Sequence, residues 1–203
     1  GFCGTIRFLK NITGLWLLQE SRRQWRLDGQ CCSYEELDRL AAAAAPFRSL
    51  IDPDDPAFTL PGNMPRRIRV RCEETGQPAP DTAGELVRCI YESLALTYRA
   101  VRAEIEAISG RRYSTIHVIG GGSQDDLLSQ MTADATGCRV IAGPAEATAL
   151  GNIAVQLIAL GELADLGEAR QLIRASTETR VFEPGDSGAW AEAAGRFNAL
   201  RHS

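Results

Sequence analysis

Gly120-Gly121-Gly122, followed by Ser123, Gln124 and Asp125, is the run in this 203-residue sequence whose residue types most directly suggest chemistry. Glycine has no Cβ, so consecutive glycines allow positive φ and let a ligand lie directly on the backbone. A helix that starts just after them presents unpaired N–H groups and a partial positive charge, which favour phosphate. Gln124 and Asp125 at that helix start offer groups for ribose hydroxyls or an adenine edge. The same glycines would serve a tight strand-to-helix turn with no ligand at all, and residue types alone leave the two alternatives open.

The common nucleotide motifs do not fit. A dinucleotide fingerprint needs a third glycine where Asp125 stands, and no acidic residue closes the next strand at Ala142. No lysine follows the glycines as a Walker A loop requires. A second turn, Gly143-Pro144, leads into Ala145-Glu146-Ala147-Thr148-Ala149-Leu150-Gly151, whose small residues make a thin helix suited to close packing. Pro144 suits a first helical position. Glu146 suits a first turn, where its charge complements the helix dipole, and that structural role is preferred to ligand contact. His117 falls within a strand pattern and reads as a packed residue, and His202 lies in the tail. The cysteines at 3, 31, 32, 72, 89 and 138 have no CxxC spacing and no nearby histidine, so no metal site and no disulfide framework is expected. Cys72 and Cys89 lie in or beside helical stretches that could bring them close.

These residues need a scaffold. Ser114–Ile119 is rich in β-branched residues and predicts a buried strand. The glycines turn it into a helix to about 136, with Ser123 and Asp126 as capping candidates. Cys138–Ala142 predicts a second strand, followed by a helix to about 160. Strand, helix, strand, helix implies parallel pairing with a crossover. Upstream, Thr5–Leu9 alternates as a short strand, and a helix is expected over 13–27. Ser33 and Glu36 form a capping-box pattern for a helix that stops before Pro46. Residues 51–62, with three prolines and a glycine, read as loop. A helix near 64–75 carries Arg66, Arg67, Arg69 and Arg71, read as a solvated face or ion pairs. Thr82 and Glu85 open a long helix to about 109, with one apolar side through Leu86, Ile90, Leu94, Val101, Ile105 and Ile108, ended by Gly110. Shorter helices at 167–175 and 187–200 flank an extended Thr179–Phe182.

Composition bounds the function classes. The chain is 44% hydrophobic and 24% charged, with formal net charge −4, which fits a folded domain and argues against a nucleic-acid partner. No run approaches the ~18 apolar residues of a membrane span, so no membrane partner is expected. The N-terminal residues lack the basic leader and apolar core of a signal peptide, so a cytoplasmic location is expected. The absence of an initiator methionine suggests a portion of a longer protein.

Ile119 through Gly120-Gly121-Gly122-Ser123-Gln124-Asp125-Asp126 to Val140, with Glu146-Ala147, Ala149-Leu150-Gly151 and Asn152, resembles the adenosine end of the FGGY family of carbohydrate kinases. Leu9–Gln19, Ile51–Asp55 and Arg88–Leu96 agree with it, and the resemblance spans about residues 4–184. Within the family, the nearest match is to members acting on L-rhamnulose. The resemblance implies an α/β fold: an actin-like, ribonuclease-H-like ATPase domain, helix-rich with a small mixed sheet. Residues 1–203 would form the C-terminal nucleotide-binding half of a two-domain kinase, without the N-terminal sugar-binding domain and without the first strands of their own domain. It implies ATP and Mg2+ as cofactors, and L-rhamnulose or a related ketose phosphorylated at its 1-hydroxyl. By position, Asn11 resembles a sugar-contacting asparagine, although it also suits a helix cap. Gln19 resembles an ATP-contacting glutamine, and Gly121 a nucleotide-contacting glycine between Gly120 and Gly122. Asp125 stands where relatives commonly carry asparagine. No acid here matches the catalytic base, which would come from the preceding part, so the chain alone is expected to bind nucleotide without catalysis. The competing expectations are a non-catalytic actin-like nucleotide-binding or interaction module and, more weakly, a Rossmann-type oxidoreductase.

Overall fold

The long helix expected after Thr82 is the spine of the structure, a computed structural model that describes Gly4, Ile6, residues 8–185 and residues 187–201. Helices are named by the ranges below, in chain order: α1 (Trp16–Leu27), α2 (Tyr34–Ala43), α3 (Met64–Glu74) and the spine, α4 (Ala83–Ser109). The Thr82 hydroxyl accepts from the Glu85 N–H at 3.2 Å, and the Glu85 carboxylate accepts from the N–H groups of Asp81 and Thr82. This reciprocal cap satisfies donors that would otherwise be orphaned. Gly110 ends α4 in the left-handed conformation, with φ 66°.

The expectation of one buried side on α4 is corrected. Tyr91, Ser93, Ala95, Leu96 and Thr97 are buried together with the expected Leu86, Ile90 and Leu94. The reason is that α4 is packed by more than one helix, chiefly by α2 and by α5 (Asp126–Thr136). Beyond Val101 the cover ends, and Ile108 is 72% exposed.

Helix α1 starts at Trp16 rather than at 13, because Thr13 is drawn into a loop contact: its N–H and hydroxyl both donate to Asp54 Oδ1, at 2.8 and 2.9 Å. The arginines of α3 divide as expected in part: Arg66 is exposed and Arg71 is ion-paired, while Arg67 and Arg69 hold loops. Arg71 pairs with Asp55 at 2.9 Å, Arg69 donates to the carbonyls of Pro80 and Asp81, and Arg67 donates to those of Leu60 and Pro61. Glu20 of α1 is buried. It accepts the Gly62 N–H at 2.6 Å and is paired with Arg23, whose hydrogen bonds hold its carboxyl below the usual range.

The sheet among the described residues has the order β1 (Thr115–Val118), β2 (Arg139–Ala142), β3 (Arg180–Phe182). β1 and β2 are parallel, Thr115 opposite Arg139 and Val118 opposite Ala142, with α5 as the crossover. β3 runs antiparallel to β2, Val140 opposite Phe182. β1 is therefore an edge strand. The expectations of a buried strand and a packed His117 are corrected, since His117 is exposed there.

Helix α6 (Ala147–Ala159) packs on α7 (Leu166–Ser176). α8 (Gly188–Leu200) lies over α4 and α5 with Trp190, Ala193 and Phe197 buried. Phe47 meets Trp190 edge-on at 4.8 Å and accepts from Arg196 at 2.9 Å through its carbonyl. The expected close packing of α6 is not found, because only Ala154 is buried on it. The strand expected at Thr5–Leu9 falls partly on Thr5 and Arg7, outside the described residues, as do Cys3 and His202. Phe8 and Leu9 are exposed and form no strand. Cys72 and Cys89 are buried and free, like buried Cys138 and the more exposed Cys31 and Cys32.

Candidate functional site

Two strand-to-helix turns lie side by side at the carboxyl ends of the parallel pair. The Gly120 N–H donates to the Pro144 carbonyl at 3.1 Å, and the Gly143 N–H donates to the Val118 carbonyl at 2.8 Å. Gly120 has φ 78° and ψ −165°, a conformation that only glycine adopts readily. Gly143 has φ 114°, and a Cβ there would lie 2.9 Å from the Glu178 carbonyl oxygen. Pro144 follows a cis peptide, and α6 begins only at Ala147, so Pro144 is not the first helical residue and exposed Glu146 precedes the helix.

Gly121–Gln124 forms a single 3-10 turn closed by Ser123, whose N–H and hydroxyl both donate to the Gly120 carbonyl, at 3.0 and 2.7 Å. Nothing lies within 4 Å of the position a Cβ on Gly121 would take. The backbone there faces open space at the carboxyl end of a parallel pair, where ligands of open α/β sheets bind.

The cap of α5 is Asp125, not Ser123 or Asp126. Its Oδ1 accepts from the Leu128 N–H at 2.8 Å. The carboxylate is thus turned inward, towards the helix start and the hydroxyl of Tyr91, rather than offered outward to a ribose. Burial pushes the Asp125 carboxyl up to about 6, although the nearby Tyr91 hydroxyl and the Leu128 N–H act the other way. Asp126 instead points to Arg180 of β3, at 2.6 Å, and Arg180 also donates to the Ser123 carbonyl at 2.7 Å. Arg180 therefore fastens the outer side of the glycine turn. Nothing local in Thr179–Phe182 signals that role.

The segment holding Asn11 and Gln19 comes to the same turn through Leu15, whose Cδ1 lies 3.7 Å from the position of a Cβ on Gly122. Gln19 is exposed one turn along α1, with its N–H bonded to the Leu15 carbonyl. Asn11 is exposed four residues before Leu15. It does not cap α1, since Leu15 occupies the cap position with no side-chain bond. Leu15, Tyr98, Ile116, Val118, Gly122 and Leu128 line a mainly apolar cavity of about 330 Å3 beside the edge of β1. Tyr98 was not singled out by sequence. Burial, with the charges of Asp125 and Asp54, pushes its phenol up to about 12.

Among the described residues no helix is long and apolar enough to cross a membrane. The model of the FGGY family of carbohydrate kinases, C-terminal domain, matches residues 1–160. The chain is 50% identical over 190 residues to a rhamnulokinase of Bacteroides thetaiotaomicron, covering 94% of this chain and 38% of that protein. It is 44% identical over 186 residues to the rhamnulokinase of Bacillus subtilis, covering 92% and 38%. The chain thus spans less than two-fifths of the length of these relatives. In fold it is similar to a xylulose kinase from Rhodospirillum rubrum (TM-score 0.63, 24% identity, 93% of this chain and 37% of that one). It is similar also to a Plasmodium falciparum glycerol kinase with ADP (TM-score 0.64, 14% identity, 90% and 36%). With the family model matching most of its length and sugar-kinase domains sharing its fold, the chain belongs to the FGGY family of carbohydrate kinases and carries that family's C-terminal domain.

Proposed function

We propose that this chain is the nucleotide-binding part of an ATP-dependent kinase that transfers the γ-phosphoryl group of ATP to the 1-hydroxyl of L-rhamnulose. The observation that carries the proposal is the open backbone of Gly121, between Gly120 and Gly122, at the carboxyl end of β1 and next to the start of α5. A nucleotide lying there would meet backbone N–H groups and a helix N-terminus. Gln19, exposed on α1 one turn beyond Leu15, would contact ATP, and Asn11, in the segment leading into α1, would contact the sugar. Asp125 would serve by positioning. The choice of L-rhamnulose is supported by the 50% identity to a rhamnulokinase.

Magnesium would be held through the nucleotide phosphates. The two aspartates nearest the turn are already engaged, Asp125 by the Leu128 N–H and Tyr91, and Asp126 by Arg180. When bound, the metal would offset charge on the phosphates. This chain's own contribution is to hold and orient the nucleotide, because phosphoryl transfer rests mainly on positioning and charge neutralisation.

Residues 1–203 would lack the sugar-binding domain and the first strands of their own domain. The unpaired outer edge of β1, the apolar cavity along it and the 59% exposed Ile119 support that division. The base that deprotonates the sugar hydroxyl would come from the preceding part. The reaction would run in the cytoplasm, where ATP is available.

The test has two parts. By calorimetry the purified chain is expected to bind ADP weakly and, incubated with ATP and L-rhamnulose, to form no sugar phosphate. Turnover by the chain alone would overturn the division of domains. A chimaera joining this chain behind the missing portion of the Bacteroides thetaiotaomicron rhamnulokinase is expected to phosphorylate L-rhamnulose. A folded chimaera that binds ADP but acts on no ketose would overturn the substrate.

A further inference from the structure

Helix α5 opens with two acids, Asp125 at the cap and Asp126 in the first turn, at the place where a phosphate would lie. Carboxylates there suit the helix dipole, but they repel an anion brought to the same N–H groups. One cation answers them. Arg180 Nη1 lies 2.6 Å from Asp126 Oδ1, and Nη2 of the same guanidinium donates to the Ser123 carbonyl at 2.7 Å. Among the described residues, Asp126 has no other ion pair and Asp125 has none.

The backbone delivers Arg180 to that point. It stands opposite Ala142 in the register of β2 and β3, and the preceding Glu178 carbonyl oxygen would lie 2.9 Å from a Cβ on Gly143. Beyond β3 the chain follows one face of α5. The Glu183 carbonyl accepts from Gln130 Nε2 at 2.9 Å, and the Gly185 N–H donates to Asp134 Oδ1 at 2.8 Å. Asp126, Gln130 and Asp134 are spaced four apart, so successive turns of α5 are tied to Arg180, Glu183 and Gly185. Arg139 of β2 adds a pair with Glu183 at 2.7 Å. The side chains of Arg180 and Asp126 are 48% and 58% exposed. An ion pair that open adds little to stability, so its main effect is on the charge at the helix start.

We propose that Arg180 is a positioning residue for the nucleotide: it holds the Ser123 carbonyl and cancels the charge of Asp126, so that the start of α5 can take a phosphate-bearing ligand. The proposal rests on the nucleotide reading of the glycine turn and deepens it. It assigns the preference for a nucleotide over a bare nucleoside to a residue of β3, acting through Asp126.

The test is calorimetry on the 203-residue chain at low salt and without metal ion, with ADP and adenosine as the two probes. Arg180→Met keeps the aliphatic stem and removes the charge. It is expected to weaken ADP about tenfold and adenosine by less than about twofold. Asp126→Asn in the Arg180→Met background leaves no uncancelled acid at that position, and is expected to return ADP affinity to within about threefold of wild type. Asp126→Asn alone is expected to tighten ADP about threefold, an effect that fades as salt screens the charges. Equal losses for ADP and adenosine would overturn the charge role. So would a double variant no better than Arg180→Met, which would place the guanidinium on the phosphate itself. If Arg180→Met does not fold, Asp126→Asn alone decides, and ADP bound no tighter than by wild type overturns the proposal. A wild-type chain that binds neither probe would sink the nucleotide reading and this proposal with it. ADP binding by wild type that Arg180→Met leaves unchanged would sink this proposal alone.

Discussion

At the scale of single residues, the glycine turn separates backbone need from ligand need. Gly120 is required by its φ, whereas Gly121 lies in ordinary backbone with open space beside it. Gly121→Val is therefore expected to fold with a stability change within about 0.5 kcal/mol and to lose about tenfold in ADP affinity, roughly 1.4 kcal/mol. Calorimetry on the folded variant checks this, and unchanged affinity would remove the turn from the binding site. Asp125 carries a pH prediction. Its carboxyl is raised from 3.8 to about 6 in the folded chain, so between those values the folded state holds more protons than the unfolded one. Its contribution is fully present below the unfolded value and is lost as pH rises through about 6. Asp125→Asn is expected to flatten that fall by roughly 3 kcal/mol, read as the difference between urea midpoints of wild type and variant across pH. Sequence showed that a polar residue caps α5. It named Ser123 and Asp126 and gave Asp125 to the nucleotide, because all three belong to the capping set and only the turn geometry selects one. Arg180 was invisible because its partner Ser123 is 57 residues away in sequence, and no local pattern encodes such a contact.

At the scale of elements, caps and periodicity located the helices within a few residues, because those signals act over single turns. The Thr82 and Glu85 pair predicted the start of α4, and Thr82→Ala is expected to cost about 1 kcal/mol in chemical denaturation. Buried Glu92 on the same helix accepts the Phe47 N–H at 2.8 Å and is paired with Arg88 at 2.7 Å. Burial raises its carboxyl against the pull of Arg88. Glu92→Ala leaves a buried donor and a cation without their acceptor, and a loss of about 3 kcal/mol is expected, measured by urea unfolding. Exposure was the element-level property that sequence misjudged. The β-branched run at 115–118 and the apolar, small-residue helix α6 both read as buried, yet β1 is an edge and α6 leaves Ile153 54% exposed. Side-chain pattern records apolar content, and apolar content does not say which neighbour, if any, covers the segment.

At the scale of the whole molecule, that mismatch becomes a solution property. The bare edge of β1, with the exposed apolar side chains of Ile119, Ile153 and Leu160, is a surface that association would cover. The chain alone is expected to self-associate with rising concentration in sedimentation experiments, and the chimaera carrying the missing portion is expected to stay discrete. A chain that remains monomeric at all concentrations would count against an open edge. The spine has a mechanical corollary. A helix of 27 residues runs about 40 Å, and as far as Val101 α4 is packed among α1, α2, α5 and α8. A rod gripped by so many neighbours bends little, so the glycine turn and the loops around α1 must travel together. Any bending of this domain is therefore expected in the loops beyond the rod and not within it.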